Sequence, residues 1–195
     1  MSTLRAPDDL TGHIELRSGS FLNFHDPDPT HITLDDVAHG LSHICRYTGQ
    51  CTIFYSVAEH AVIVSRRLEY LGFDRDVQWS GLHHDDAEAF VGDVNRPLKG
   101  MLPEYKAIER RVWLAVNEAL GLGLTDPQPR AVKDADNWAL SAEAYHLLPS
   151  GGASWFSAGL YDPDNDPFPL GGLTPGQAKV SWLERHHELE EADGR

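Results

Sequence analysis

Basic charge is scarce in this chain. Against 30 Asp and Glu stand 16 Lys and Arg, a formal charge of −14 with histidine neutral over 195 residues. Nucleic-acid binding rests on many Lys/Arg–phosphate contacts, so the balance excludes a nucleic-acid groove as partner. An anionic membrane surface is disfavoured for the same reason. Cysteine is scarce too. Cys45 and Cys51 are the two, without C-x-x-C spacing, which excludes a disulfide scaffold and suits a reduced, intracellular pair. No apolar run approaches the ~18 residues of a membrane span. The opening stretch MSTLRAPDDLTGHIEL lacks the apolar region of a signal peptide. A cytoplasmic location is therefore expected, with no membrane partner. Internal repeats are absent. What is present is an ordinary globular makeup, 41% hydrophobic and 24% charged, at the length of a single domain. The exception is histidine, at 11 residues. Many imidazoles with few cations suit a metal site better than a polyanion groove.

The pattern along the chain predicts an all-α domain with a minor hairpin. Residues 11–24 read as two short extended pieces around Ser18-Gly19-Ser20, a small β-hairpin. Helices follow at 33–47, 56–71, 76–90, 103–120 and 129–148. Thr33 caps the first, ahead of the stripe Leu34, Val37, Leu41 and Ile44. Ser56 and Glu59 have the spacing of a capping box for the second. Gly92 reads as the C′ residue of the third, and VNRPLKG after it as loop. The stretch 149–173, rich in Gly, Pro and aromatics, is either a mobile flap or a loop pinned by Trp155, Phe156, Tyr161 and Phe168. Thr174-Pro175-Gly176-Gln177 opens a last helix. The division is thus 1–30 hairpin and loop, 33–148 helical core, and 149–195 loop and C-terminal helix.

Four residues on three of these helices carry the chemistry: His60, His84, Asp85 and Asp136. His60 lies between Val57 and Val64, and Asp136 between Val132 and Leu140, so both face the apolar side. Taken singly, each reads as a satisfied core residue. Together they read as a metal site, since a buried Asp without an evident Lys partner needs positive charge. Mixed N/O ligation suits Mn, Fe, Co, Ni or Zn, and Mg less well. Glu88, four past His84 and three past Asp85, shares their helical face. Asp93 follows in the next turn. Either acid can move protons beside such a centre. Arg96, Lys99, Lys106, Arg110 and Arg111 form a local basic cluster. Lys99 is close enough in sequence to Asp93 to reach an anion at the metal, whereas Arg110 and Arg111 suit a solvated face.

The stretches SVAEHAVIVS, LHHDDAEAFVGDVNRPLK and KDADNWAL resemble the HD-domain metal-dependent phosphohydrolases, over roughly residues 33–148. HDDAEAFVGDVNRPLK is similar to the branch of small 5′-deoxynucleotidases. The upstream DDVAHGLSHICRYTGQCTIFYSVAEH is also similar to phage dATP triphosphohydrolases. The resemblance implies an HD helical bundle with His60, His84, Asp85 and Asp136 as metal ligands. It implies Glu88 and Asp93 as the groups that orient or activate water, and Arg46, Lys99 and Arg96 as phosphate contacts. Residues 86–135 hold no histidine, unlike the binuclear branch, so one divalent ion is expected.

The implied reaction removes phosphate from a deoxynucleotide, dNTP or dNMP; a non-catalytic metal-binding module is the other reading. Tyr47, Phe54, Tyr55 and Trp138 are offered to a nucleoside, with core packing the alternative for each. His83 is read as surface or as a support of the site, His39 and His43 as solvated, and His186-His187 as solvated. Residual apolar helix faces permit a homodimer or higher homo-oligomer.

Overall fold

The computed structural model describes residues 9–155, 157–165, 168 and 170–191; Phe156 lies outside them. Strands β1 (His13–Glu15) and β2 (Phe21–Asn23) pair antiparallel, with Ile14 opposite Leu22. Among the described residues eight α-helices follow: α1 (Leu34–His43), α2 (Val57–Tyr70), α3 (Arg75–Leu82), α4 (Glu88–Val91), α5 (Arg96–Lys99), α6 (Pro103–Ala119), α7 (Arg130–Leu147) and α8 (Pro175–Glu191). The described residues are all-α apart from the hairpin. Among the described residues no helix is long and apolar enough to cross a membrane.

α2 is the central element, packed against α1, α3, α7 and α8. Its start is fixed reciprocally: Ser56 Oγ accepts from the Glu59 amide, and the Glu59 carboxylate accepts from the Ser56 amide. That arrangement satisfies donors a helix start otherwise leaves open. The other Glu59 oxygen accepts from the Leu173 amide at 2.8 Å, tying the lead of α8 to the same point. On one flank Val57, Ala58 and Ala61 join Leu22, Leu41, Val112 and Trp182 in a buried cluster; on the other Val64 and Leu68 meet Val132, Ala135 and Ala139. A fully buried leucine in such a cluster contributes about 2 kcal/mol. Tyr161 and Phe168 pack edge-on against Trp138, so this part of 149–173 is pinned as the aromatics suggested.

Three local expectations are corrected. The first helix stops at His43, because Ile44–Arg46 turn into extended pairing with Tyr55–Val57. The expected 76–90 helix is broken: α3 ends at Leu82, residues 83–87 form a turn, and α4 restarts at Glu88. Side-chain and backbone bonds inside the turn replace the helical ladder there, including Glu88 N–H to Asp85 O at 2.9 Å. The NRPLK segment is helical rather than loop, since Asn95 caps Leu98 N–H and Pro97 fits the first turn. α1 and α4 approach so closely at Gly40 that a Cβ there would collide with the Ala89 backbone.

Candidate metal centre

The predicted residues converge on one cavity of about 920 Å³, lined by Arg46, His84, Asp85, Glu88, Asp93, Arg96, Lys99 and Asp136. His60, on α2, is fully buried behind the lining, beside Asp85 and Asp136. Its Nε2 lies 3.4 Å from Asp136 Oδ1 and 3.6 Å from Asp85 Oδ2, and His84 Nε2 lies 3.1 Å from the same Asp85 oxygen. His60, His84 and Asp85 offer donor atoms all within 4.8 Å of one another, a group that can hold a metal ion.

The imidazole hydrogen bonds decide which nitrogen faces the cavity. His60 Nδ1–H donates to Glu143 Oε1 at 2.6 Å, and His84 Nδ1–H donates to the Gly81 carbonyl at 2.8 Å. Each ring therefore presents an Nε2 lone pair when neutral. Both Nε2 atoms are buried and have no hydrogen-bond partner. Two buried Nε2 atoms without a hydrogen-bond partner, beside two carboxylates, are the arrangement a cation completes, taking the place of a proton on His60.

Asp136 departs from expectation in one respect. It has a lysine partner: Lys133, three residues earlier, meets Oδ2 at 2.7 Å, and Arg96 approaches the same oxygen at 3.8 Å. Oδ1 remains toward His60. Burial works against ionisation of Asp136, but His60 at 3.4 Å, and then the charges of His84 and Lys133, hold its carboxyl well below the usual range. Asp85 is likewise held low, its burial outweighed by His84 and His60. Burial and the Arg46 charge depress His60, but Glu143 and Asp136 outweigh them and lift it to about 9.

Glu88 opens α4 and is buried. Burial first, then the charges of Asp85 and Asp93, push its carboxyl well above the usual range, against the pull of Lys99 and Arg46. Lys99 Nζ stands 3.4 Å from Glu88 Oε1 and 2.7 Å from Glu109. The other Glu88 oxygen is buried without a partner. Asp93 follows Gly92, whose φ of 82° turns the chain back toward Arg46. Arg46 is buried, with Asp85 and Asp93 each at 4.0 Å and Glu143 at 3.1 Å. Its loop is held in an unusual backbone: Tyr47 and Thr48 both have φ near +55° (57° and 55°).

The residue the sequence reading missed is Glu143. It is fully buried and joins His60, Arg46 Nε and Tyr47 OH. Its signal was available: it lies seven residues past Asp136, two helical turns along the same face. Of the aromatics offered to a nucleoside, Tyr47 lines the cavity, Tyr55 and Trp138 are core, and Phe54 is half-buried away from the lining. Trp113 and Trp155 line the cavity in their place.

Arg110 is exposed, as its solvated reading expected, and it also borders the cavity. Its guanidinium lies 4.6 Å from the Trp113 ring centroid, one turn after Lys106 on the same wall. Arg111 is solvated as expected. His83 and His186 are not at the surface. Both are buried, because Trp79 and Trp182 enclose them; His187 is exposed.

No family model matches the chain. It is 33% identical over 179 residues to the uncharacterized protein YfdR of Escherichia coli (strain K12), covering 91% of this chain and 96% of that protein. It is 32% identical over 184 residues to an uncharacterized protein of Rhodobacter capsulatus, covering 88% and 92%. At that identity over nearly the whole of each chain, this protein belongs to the family that YfdR represents.

Proposed function

We propose that this protein is a metal-dependent phosphohydrolase of the HD-domain type, acting on nucleotides, with deoxynucleotides the first class to test. The observation that carries the reading is the pair of buried, unpartnered Nε2 atoms of His60 and His84 beside Asp85 and Asp136, on the floor of a cation-lined cavity. His60, His84, Asp85 and Asp136 Oδ1 would hold one divalent transition ion. When bound, that ion supplies Lewis acidity toward a phosphoryl oxygen and toward water.

The remaining steps belong to the chain. Glu88, whose carboxyl is pushed up by burial and by Asp85 and Asp93, is suited to deliver a proton to a leaving oxygen, with Lys99 beside it to respond to the change in charge. Asp93 orients the Arg46 guanidinium, and Glu143 shares in holding it. Arg46 and Lys99 offset charge that grows on the phosphoryl oxygens. Lys106 and Arg110, outside that inner ring, have no carboxylate partner among the described residues and suit a second or third phosphate. Trp113, Trp155 and Tyr47 offer faces to a base or sugar.

The deciding experiment incubates purified protein, supplemented in turn with Mn²⁺, Co²⁺, Ni²⁺, Zn²⁺ and Mg²⁺, with dNMPs, dNTPs and NTPs. Release of nucleoside with phosphate or an oligophosphate is the expected result. A metal-loaded protein that cleaves none of them is instead a binding module.

A further inference from the structure

Four consecutive ionisable residues, His83-His84-Asp85-Asp86, fill the turn between α3 and α4, and they divide two and two. His84 and Asp85 line the cavity. His83 and Asp86 are fully buried outside that lining. His83 Nδ1–H donates to Asp86 Oδ2 at 2.6 Å, which closes the turn on itself and leaves His83 Nε2 as an acceptor. The group that meets this Nε2 is His186 Nδ1 of α8, at 3.1 Å and 103 residues away in sequence. His186 is fixed in turn by aromatics. Its ring stacks on Trp182 at 5.7 Å with an interplanar angle of 21°, and lies 4.9 Å from Trp79. Trp182 also meets the edge of His83 at 5.2 Å.

From this chain of contacts we infer that His186 is a positioning residue for the metal centre, setting through His83 and Asp86 the orientation of the turn that carries His84 and Asp85. The inference rests on the metal-centre reading above. It makes α8 a working part of the site rather than an appendage to a core ending near residue 148. The physical reason is that a buried acceptor stripped of its donor is costly. Without His186, the His83 ring must rotate or admit water, and either change moves the backbone on which the two ligands sit. The same turn also launches α4, through Glu88 N–H to Asp85 O and Ala89 N–H to Asp86 O. Packing alone makes a different demand: an aromatic ring of similar volume at 186 would serve as well.

The test titrates metal-stripped, full-length protein with Co²⁺, following calorimetry and the visible absorption of the bound ion. Each titration is repeated with a His187→Ala change, which breaks up the separate donor group of His186, His187 and Glu190 so that the floor of the cavity is what is read. His186→Phe, which keeps a ring but no N–H, should bind Co²⁺ about 10- to 100-fold more weakly, the range typical of groups that orient metal ligands, with an altered spectrum. His186→Asn, whose amide N–H replaces Nδ1–H, should recover most of the affinity. Wild-type affinity and spectrum in the Phe variant overturn the inference, as does an Asn variant no better than Phe. Should His186→Phe fail to fold, Asp86→Asn decides: a similar weakening supports the role, and unchanged binding overturns it. If wild-type protein takes up no Co²⁺, the metal centre itself is wrong and this role falls with it.

Discussion

Two pairs of histidines share this fold, and they are finished in opposite ways. His60 and His84 each spend Nδ1 on a fixed acceptor and leave Nε2 buried and unmatched beside carboxylates. His83 is bonded at both nitrogens, to Asp86 and to Nδ1 of His186, and the two rings lie between two tryptophans. Burial does not separate the pairs, since all four rings are at most 5% exposed. The free nitrogen does. An imidazole whose last lone pair has no partner is waiting for a ligand, and one closed on both sides is structure.

The harshest challenge to this contrast is Asp136→Ala. It removes the carboxylate oxygen that lies 3.4 Å from His60 Nε2, and with it the group that Lys133 and Arg96 approach. Metal affinity should fall by more than about a hundredfold, beyond the range for groups that only orient ligands, and hydrolysis should vanish. Elemental analysis after dialysis reads the first, a product assay the second. Full metal content in this variant would mean that the open nitrogens are not the ligand site. Glu88→Gln probes the other orphaned atom on the cavity wall. It should retain the ion and lose about 10²- to 10⁴-fold in kcat, the usual worth of a general acid or base. Normal turnover would remove Glu88 from the chemistry.

Much of this was legible in the sequence, for reasons that differ by residue. Capping boxes are local, so Ser56-Glu59 and the start of α8 could be placed from spacing alone. His60 and Asp136 were readable because each interrupts an apolar stripe of period 3.6. The turn at 83–87 was not, because α3 and α4 read as one continuous amphipathic helix. The bonds that break it come from side chains within the turn and from α8. His186 was assigned to solvent because its helix is only weakly amphipathic, and the tryptophans that cover it lie far apart in sequence. Glu143 had a periodic signal. Its role in ordering His60, Arg46 and Tyr47 depends on a loop whose left-handed Tyr47 and Thr48 no propensity favours.

The open pair also implies a direction for the substrate. If phosphate lies over His60 and His84, its distal groups extend toward Lys106 and Arg110 of α6. Lys106→Ala with Arg110→Ala should then raise KM for a dNTP about tenfold, the effect of roughly 1.4 kcal/mol of lost binding. KM for the matching dNMP should change less. Equal effects on both would place the distal phosphates elsewhere.

The smallest effect belongs to the closed pair and appears as pH dependence of stability. Burial, then the His83 and His187 charges, push His186 down to about 3, whereas an unfolded histidine titrates near 6.5. Between those values the unfolded chain binds a proton that the folded chain refuses, so stability must rise with pH across the window and level off above about 6.5. Acidification from pH 7 to 5.5 should therefore cost a share of stability traceable to this ring, below about 1 kcal/mol after screening. His186→Phe has no proton to refuse. Its melting temperature should fall less steeply than that of wild type over the same interval, even if it starts lower. Parallel slopes would show that His186 takes up its proton in the folded state, and the pair would then be no more closed than the one at the cavity floor.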